Sequence, residues 1–241
     1  MLLVSSSLRA QSATVAVASN MKPALEAIYA KFKQSHTSDL RIVYGSSGNL
    51  SSQIKQGAPF SLFISADELL PARLYENGLT RDAGVVYAIG HLALITNKAS
   101  GIKLSSDQGQ IALILSQSKK IAIANPQLAP YGRAAIEYLK SIGMWDEAKA
   151  KLVYGENISI ATMYVSSGAA NVGITALSLA KSPELAGLIQ YAQLPQSLHT
   201  PIKQRMVLMK TPAAQAVELY DYLQSPAAKS ILLNYGYSTP E

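Results

Sequence analysis

The chain has 241 residues, 49% hydrophobic and 15% charged, which is enough apolar side chain for one large core or two smaller ones and too little charge for a disordered chain. Lysine and arginine outnumber acids 21 to 15, a net charge of +6. The basic residues are dispersed, however, and their densest groups (Lys119–Lys120, and Lys149 with Lys151) lack interleaved aromatics, so they read as solvated faces and not as a nucleic-acid surface. Cysteine is absent, which excludes a disulfide framework, a thiolate metal site and a cysteine nucleophile.

The start, MLLVSSSLRAQSA, turns from apolar to small and polar and closes on Ala10, Ser12 and Ala13. Residues 1–13 are therefore expected to be the remnant of a secretory signal peptide whose charged beginning is missing, with an ordinary frayed terminus as the alternative; the first reading implies a periplasmic or other extracytoplasmic protein. TVAVAS (14–19) then reads as a buried strand, and Asn20 precedes a helix in which Leu25, Ile28, Tyr29 and Phe32 recur at helical spacing. LRIVYG is a second strand and LSSQIKQG a short helix. SLFISA is a third strand, and the helix through ELLPARLYENG stops at Gly78. This alternation predicts an α/β fold on a parallel sheet.

VVYAIGHLALIT (85–96) is too long for one ordinary strand and carries Gly90 at its centre, so it reads as a strand leaving one unit and entering another. A second set follows: strands at KKIAIANP, AKLVYG, ANVGIT and GLIQYAQLP, with helices at YGRAAIEYLKSIG and ISIATMYVSSG. IKQRMVLM (202–209) is a further extended run, and two helices close the chain. The economical arrangement is two α/β lobes: residues 14–88 in the first, 89–202 in the second, and 203–241 returning to the first. The chain crosses between them near residues 88–92 and 198–203.

Four predicted helix starts carry one chemistry. They hold Ser19 and Asn20; Ser46, Ser47 and Gly48; Pro130, Tyr131 and Gly132; and Asn157, Ile158 and Ser159. Each alone is explained as a turn or a helix cap. Repeated two per lobe at the ends of strands, hydroxyls and free N–H groups suit a small anion held in a cleft by neutral donors.

Enzyme chemistry finds little support. From Gly45 through Ser47 the fifth position is Asn49, which breaks the nucleophile elbow, and neither a P-loop nor a G-x-G-x-x-G is present. His36, His91 and His199 share no metal-ligand spacing. Asp67 and Glu68, adjacent at a helix start, are explained by capping and dipole compensation.

The segments VASN, GSSG, QIKQGAPFSLFISADE, YAIGHLAL, ANPQLAPYG and VGITALS resemble the molybdate-binding proteins of ABC importers, over about residues 14–237. The resemblance implies a type II periplasmic binding fold, two α/β lobes joined by crossing strands that close on a tetrahedral oxyanion. Carried over position by position, it implies ligand contacts at Ser19, Asn20 and Ser47 in the first lobe and at the backbone of Tyr131 and Ile158 in the second. No cofactor, catalytic residue or metal cation is implied, only molybdate or tungstate as ligand. In one branch of the family a tyrosine at the position of Ala176 reaches the ligand. The ALS found here resembles a second branch, which uses an asparagine equivalent to Asn20. The implied protein is a monomeric receptor that delivers its oxyanion to membrane permease subunits and is not an enzyme. Its rivals are a receptor for sulfate or a phosphonate, and a regulatory oxyanion sensor, for which 13 residues ahead of the first strand leave no room for a helix-turn-helix.

Overall fold

A computed structural model describes residues 13–37 and 39–240; the signal-peptide assignment lies outside them, except for Ala13, which opens the first strand. That strand, β1 (Ala13–Ala18), leads through a 3-10 turn at Ser19–Met21 into α1 (Lys22–Phe32). Then come β2 (Leu40–Gly45), α2 (Ser47–Lys55), β3 (Phe60–Ile64), α3 (Leu69–Glu76) and β4 (Val85–Gly90). Only His91 separates β4 from β5 (Leu92–Asn97). After β5 the second lobe runs α4 (Gln108–Gln117), β6 (Ile121–Ala124), α5 (Pro130–Ser141), the short α6 (Trp145–Ala148) and β7 (Leu152–Gly155). It continues with α7 (Ile158–Ser166), β8 (Val172–Ala176), the short α8 (Leu177–Ala180) and β9 (Ile189–Gln193). The chain returns through β10 (Ile202–Leu208) and ends in α9 (Ala214–Leu223) and α10 (Pro226–Asn234).

Each lobe holds one five-stranded sheet, in the orders β2-β1-β3-β10-β4 and β7-β6-β8-β5-β9. The sheets are mixed, where the alternation of elements predicted parallel ones. β10 runs antiparallel to β3 and β4, and β5 antiparallel to β8 and β9. The reason is topological. Most strands end at the junction of the lobes, whereas β5 and β10 are the strands that begin there after a crossing.

Period-2 alternation sorts β1 between two packed layers. Val15 and Val17 face Leu25, Ile28 and Phe32 of α1 together with Leu219 and Leu232 from the terminal helices. Ala16 faces Leu50 of α2 and Leu74 of α3. In the second lobe Leu92 and Leu94 face the layer of Tyr138 and Leu139, and Ala93 and Ile95 the opposite one. Each large apolar side chain so buried is worth roughly 1.5–3 kcal/mol. Within each lobe the two-sided sheet fixes the C-terminal ends of its strands at the junction, β1, β2 and β3 in the first lobe and β6 and β7 in the second.

A cleft lined by helix N-termini

The N–H groups of a helix's first turn lack carbonyl partners four residues back. At three of the helix starts near the junction of the lobes, the local sequence leaves a particular N–H unclaimed. Ser46 caps α2, its Oγ accepting from the N–H of Asn49 at 3.4 Å, while the N–H of Gly48 donates across the junction to the carbonyl of Leu128 at 2.8 Å. The N–H of Ser47 is left over. In α5, Pro130 has no N–H to satisfy, and those of Gly132 and Arg133 donate to the carbonyl of Ala129. There the remainder is Tyr131. Asn157 caps α7, its Oδ1 accepting from Ser159 at 3.0 Å and Ile160 at 3.1 Å. Ile158 is therefore the residue whose N–H stays free.

These three residues, with Ser19 and Asn20 of the 3-10 turn, line one small cleft of about 10 Å³ that also includes Ser46 and Ala66. Among the described residues no charged side chain lines it. Its potential comes from the positive ends of α2, α5 and α7 and from hydroxyl dipoles. Ser47 is 1% exposed, and its Oγ accepts from the N–H of Ala66 at 3.0 Å. That bond occupies a lone pair and leaves the hydroxyl hydrogen free to donate into the cleft. The arrangement can receive an anion with several acceptor oxygens. Among the described residues no group of three or more metal-ligating side chains comes together.

The structure thus brings Ser19, Asn20, Ser47, Tyr131 and Ile158 to one cleft. Asn20 differs in detail from its expected role, because both hydrogens of its amide are engaged. Nδ2 donates to Gln204 Oε1 and to the Tyr237 hydroxyl, each at 2.9 Å, while the buried Oδ1 has no partner. Behind Asn20 lies a polar cluster that the sequence reading missed. Tyr87 donates to Gln204 Oε1 at 2.8 Å, Gln204 Nε2 donates to the Tyr131 hydroxyl at 2.9 Å, and Ser178 donates to the Asn20 carbonyl at 2.8 Å. Burial raises the pKa of Tyr87, Tyr131 and Tyr237, so their hydroxyls stay neutral. One sequence signal existed: Gln204 shares the β10 face with Ile202, Met206 and Leu208 and is fully buried among them.

The lobes meet directly around the cleft. Besides the Gly48–Leu128 bond, Asn49 Nδ2 donates to Glu156 Oε1 at 2.6 Å, Ser159 Oγ to the Ser19 carbonyl at 3.2 Å, and Arg133 pairs with Asp67. Asp67 also accepts from the N–H of Leu70 at 3.1 Å, and Glu68 pairs with Arg205 at 2.7 Å, so each carboxylate has a structural partner. His91 and His199 lie in the crossings, outside the cleft lining.

The family model for bacterial extracellular solute-binding proteins matches residues 13–238. The molybdate-binding protein ModA of Azotobacter vinelandii is 35% identical, over 98% of this chain and 93% of that protein. ModA of Rhodobacter capsulatus is 36% identical, over 93% and 87%. A solved periplasmic molybdate-binding protein of Azotobacter vinelandii superposes with a TM-score of 0.85 at 30% identity, covering 95% of this chain and all of that one.

Proposed function

The chain belongs to the bacterial extracellular solute-binding protein family, and we propose that its solute is molybdate, with tungstate as a second ligand, captured outside the cytoplasm and handed to the permease subunits of an ABC importer. The observation that carries the reading is the convergence of the unclaimed N–H groups of Ser47, Tyr131 and Ile158 with the Ser47 hydroxyl in one uncharged cleft. A donor-only cradle suits an oxyanion that is fully deprotonated near neutral pH. Phosphate, which keeps a proton there, would need an acceptor beside it. The molybdate-binding relatives agree with this chemistry, and the chain acts as a receptor without catalysis.

Both lobes supply donors to the same ion, so ligand binding favours the closed arrangement of the lobes. The test is calorimetric titration of the protein with molybdate, tungstate, sulfate and phosphate. Molybdate and tungstate are expected to bind most tightly and phosphate least. Tighter binding of sulfate than of molybdate would assign the cleft to another oxyanion, and binding of none of them would remove the reading.

A further inference from the structure

The lobes touch at a glycine that its own helix does not call for. Gly48 is the second residue of α2, its φ lies outside the left-handed region, and glycine is a poor helix former. A side chain there would meet the other lobe. Its first carbon would lie 2.8 Å from the Leu128 carbonyl oxygen, 3.0 Å from the Leu128 Cα and 3.2 Å from the Leu128 carbonyl carbon. All three atoms are backbone, in the segment between β6 and α5, and no rotamer change can turn them aside. The Gly48 N–H donates to that same carbonyl at 2.8 Å. We infer that Gly48 is a positioning residue for anion capture: its bare α-carbon sets how far the lobes close, and thereby how near the N–H groups of the second lobe come to an anion beside Ser47. The inference rests on the reading of the cleft as an oxyanion site.

Short stiff paths join this contact to the donors on both sides. In the first lobe Gly48 follows Ser47 directly within α2. In the second, the N–H groups of Leu128 and Ala129 both donate to the Asn125 carbonyl, at 3.0 and 2.8 Å, which fixes Leu128 to the start of α5 and so to Tyr131. The N–H of Asn125 donates in turn to the carbonyl of Gly155 at 2.7 Å, at the end of β7 and just ahead of Ile158. A further tie lies beside the first, where Asn49 Nδ2 donates to Glu156 Oε1 at 2.6 Å. Moving Leu128 away from Gly48 therefore moves the N–H groups of Tyr131 and Ile158 away from that of Ser47.

Ordinary contact begins at 3.4 Å, so a methyl group at position 48 would hold the lobes apart by roughly half an ångström. Hydrogen bonds keep their strength only over about 2.7–3.2 Å. An anion in the widened cleft would sit well against one lobe and poorly against the other. Gly132 and Gly155 also abut backbone, but that of their own lobe, at Ala124 and Ala161, and so serve the fold. Gly48 differs from them because its obstruction appears only when the lobes meet. Alanine there would favour α2 as a helix and oppose closure, so the two effects can be read separately.

The experiment compares the wild-type protein with Gly48→Ala and with Ser52→Ala, a change at an exposed position of the same helix. Each is titrated calorimetrically with molybdate, loaded with radiolabelled molybdate and chased with unlabelled ligand to read release, and unfolded in urea without ligand. Gly48→Ala should lose roughly 5–150-fold in affinity, the range for one overpacked methyl group. Nearly all of the loss should appear as faster release, with a ligand-free midpoint no lower than that of the wild type. Ser52→Ala should bind as the wild type does. Unchanged affinity in Gly48→Ala, while the wild type binds, would overturn the inference and leave the oxyanion site standing. A loss shared by Ser52→Ala would place the effect in α2 itself, and a loss with a lowered midpoint would make Gly48 a residue of the fold; either result overturns the positioning role. A loss confined to association would overturn it too. Failure of the wild-type protein to bind molybdate, tungstate or sulfate would remove the oxyanion reading and this inference with it.

Discussion

At the scale of single residues, two neighbouring serines divide the labour of one helix start. Ser46 caps α2 through its hydroxyl, whereas Ser47 accepts from Ala66 and keeps its hydrogen for the cleft. Ser47→Ala is therefore expected to weaken molybdate binding by about 1.5–3 kcal/mol, the worth of a hydrogen bond to a charged group. Ser46→Ala should instead cost about 1 kcal/mol of stability as a lost cap and change affinity little. Calorimetry and urea denaturation on both variants check this, and equal losses of affinity would contradict the division. Much of this site was legible in the sequence, because glycine, serine, proline and asparagine at strand ends announce helix starts without knowledge of the fold. Gly48 shows what was not legible. A side-chain carbon there would lie 2.8 Å from the Leu128 carbonyl, a contact between segments about eighty residues apart that no local pattern encodes. The engagement of Asn20 with Gln204 and Tyr237 was hidden for the same reason, since its partners lie 184 and 217 residues away.

At the scale of elements, the cleft depends on how each helix is capped as much as on which residue faces the ligand. The cap at Asn157 satisfies the second and third N–H groups of α7 and so isolates the first, that of Ile158. Asn157→Ala should lower stability by about 1 kcal/mol and also loosen the anion's hold, because the freed N–H groups no longer fix the end of the helix. A fall in the denaturation midpoint with unchanged molybdate affinity would show that α7 needs no such fixing. The run over residues 85–96 read as one crossing strand, which the structure divides at His91 into β4 and β5, and strands and long amphipathic helices were readable from periodicity. The helix α4 and the short α6 and α8 escaped it. α8 spans only Leu177–Ala180, all of it buried, so no polar face marks its period. The antiparallel placement of β5 and β10 escaped as well, because direction is set by where the crossing delivers the chain and not by composition.

At the scale of the whole molecule, two crossings hold the lobes together, and each carries a buried histidine. His91 bonds to the Ser238 hydroxyl through Nε2 at 2.7 Å, while its Nδ1 is buried without a partner. Burial, and then the neighbouring His199, hold its pKa below 6.5. The folded protein thus binds fewer protons than the unfolded chain. The stability associated with neutral His91 is fully present above pH 6.5 and is lost as pH falls through the lower folded value. Thermal melts should show this loss, and His91→Gln should reduce it; the same pH slope in the variant would place the effect elsewhere. Ligand binding should behave otherwise, because the histidines stand outside the cleft. The cleft's donors are the Ser47 hydroxyl and backbone N–H groups, none of which changes charge between about pH 6 and 8. The most direct test of an anion held by neutral donors alone is calorimetric titration with molybdate at pH 6, 7 and 8, each at low and high salt. The account predicts nearly constant affinity across that range and only a modest decline with salt, since the fixed dipoles act at short range. A tenfold change in affinity per pH unit would contradict it, showing that a titrating group takes part in holding the ion.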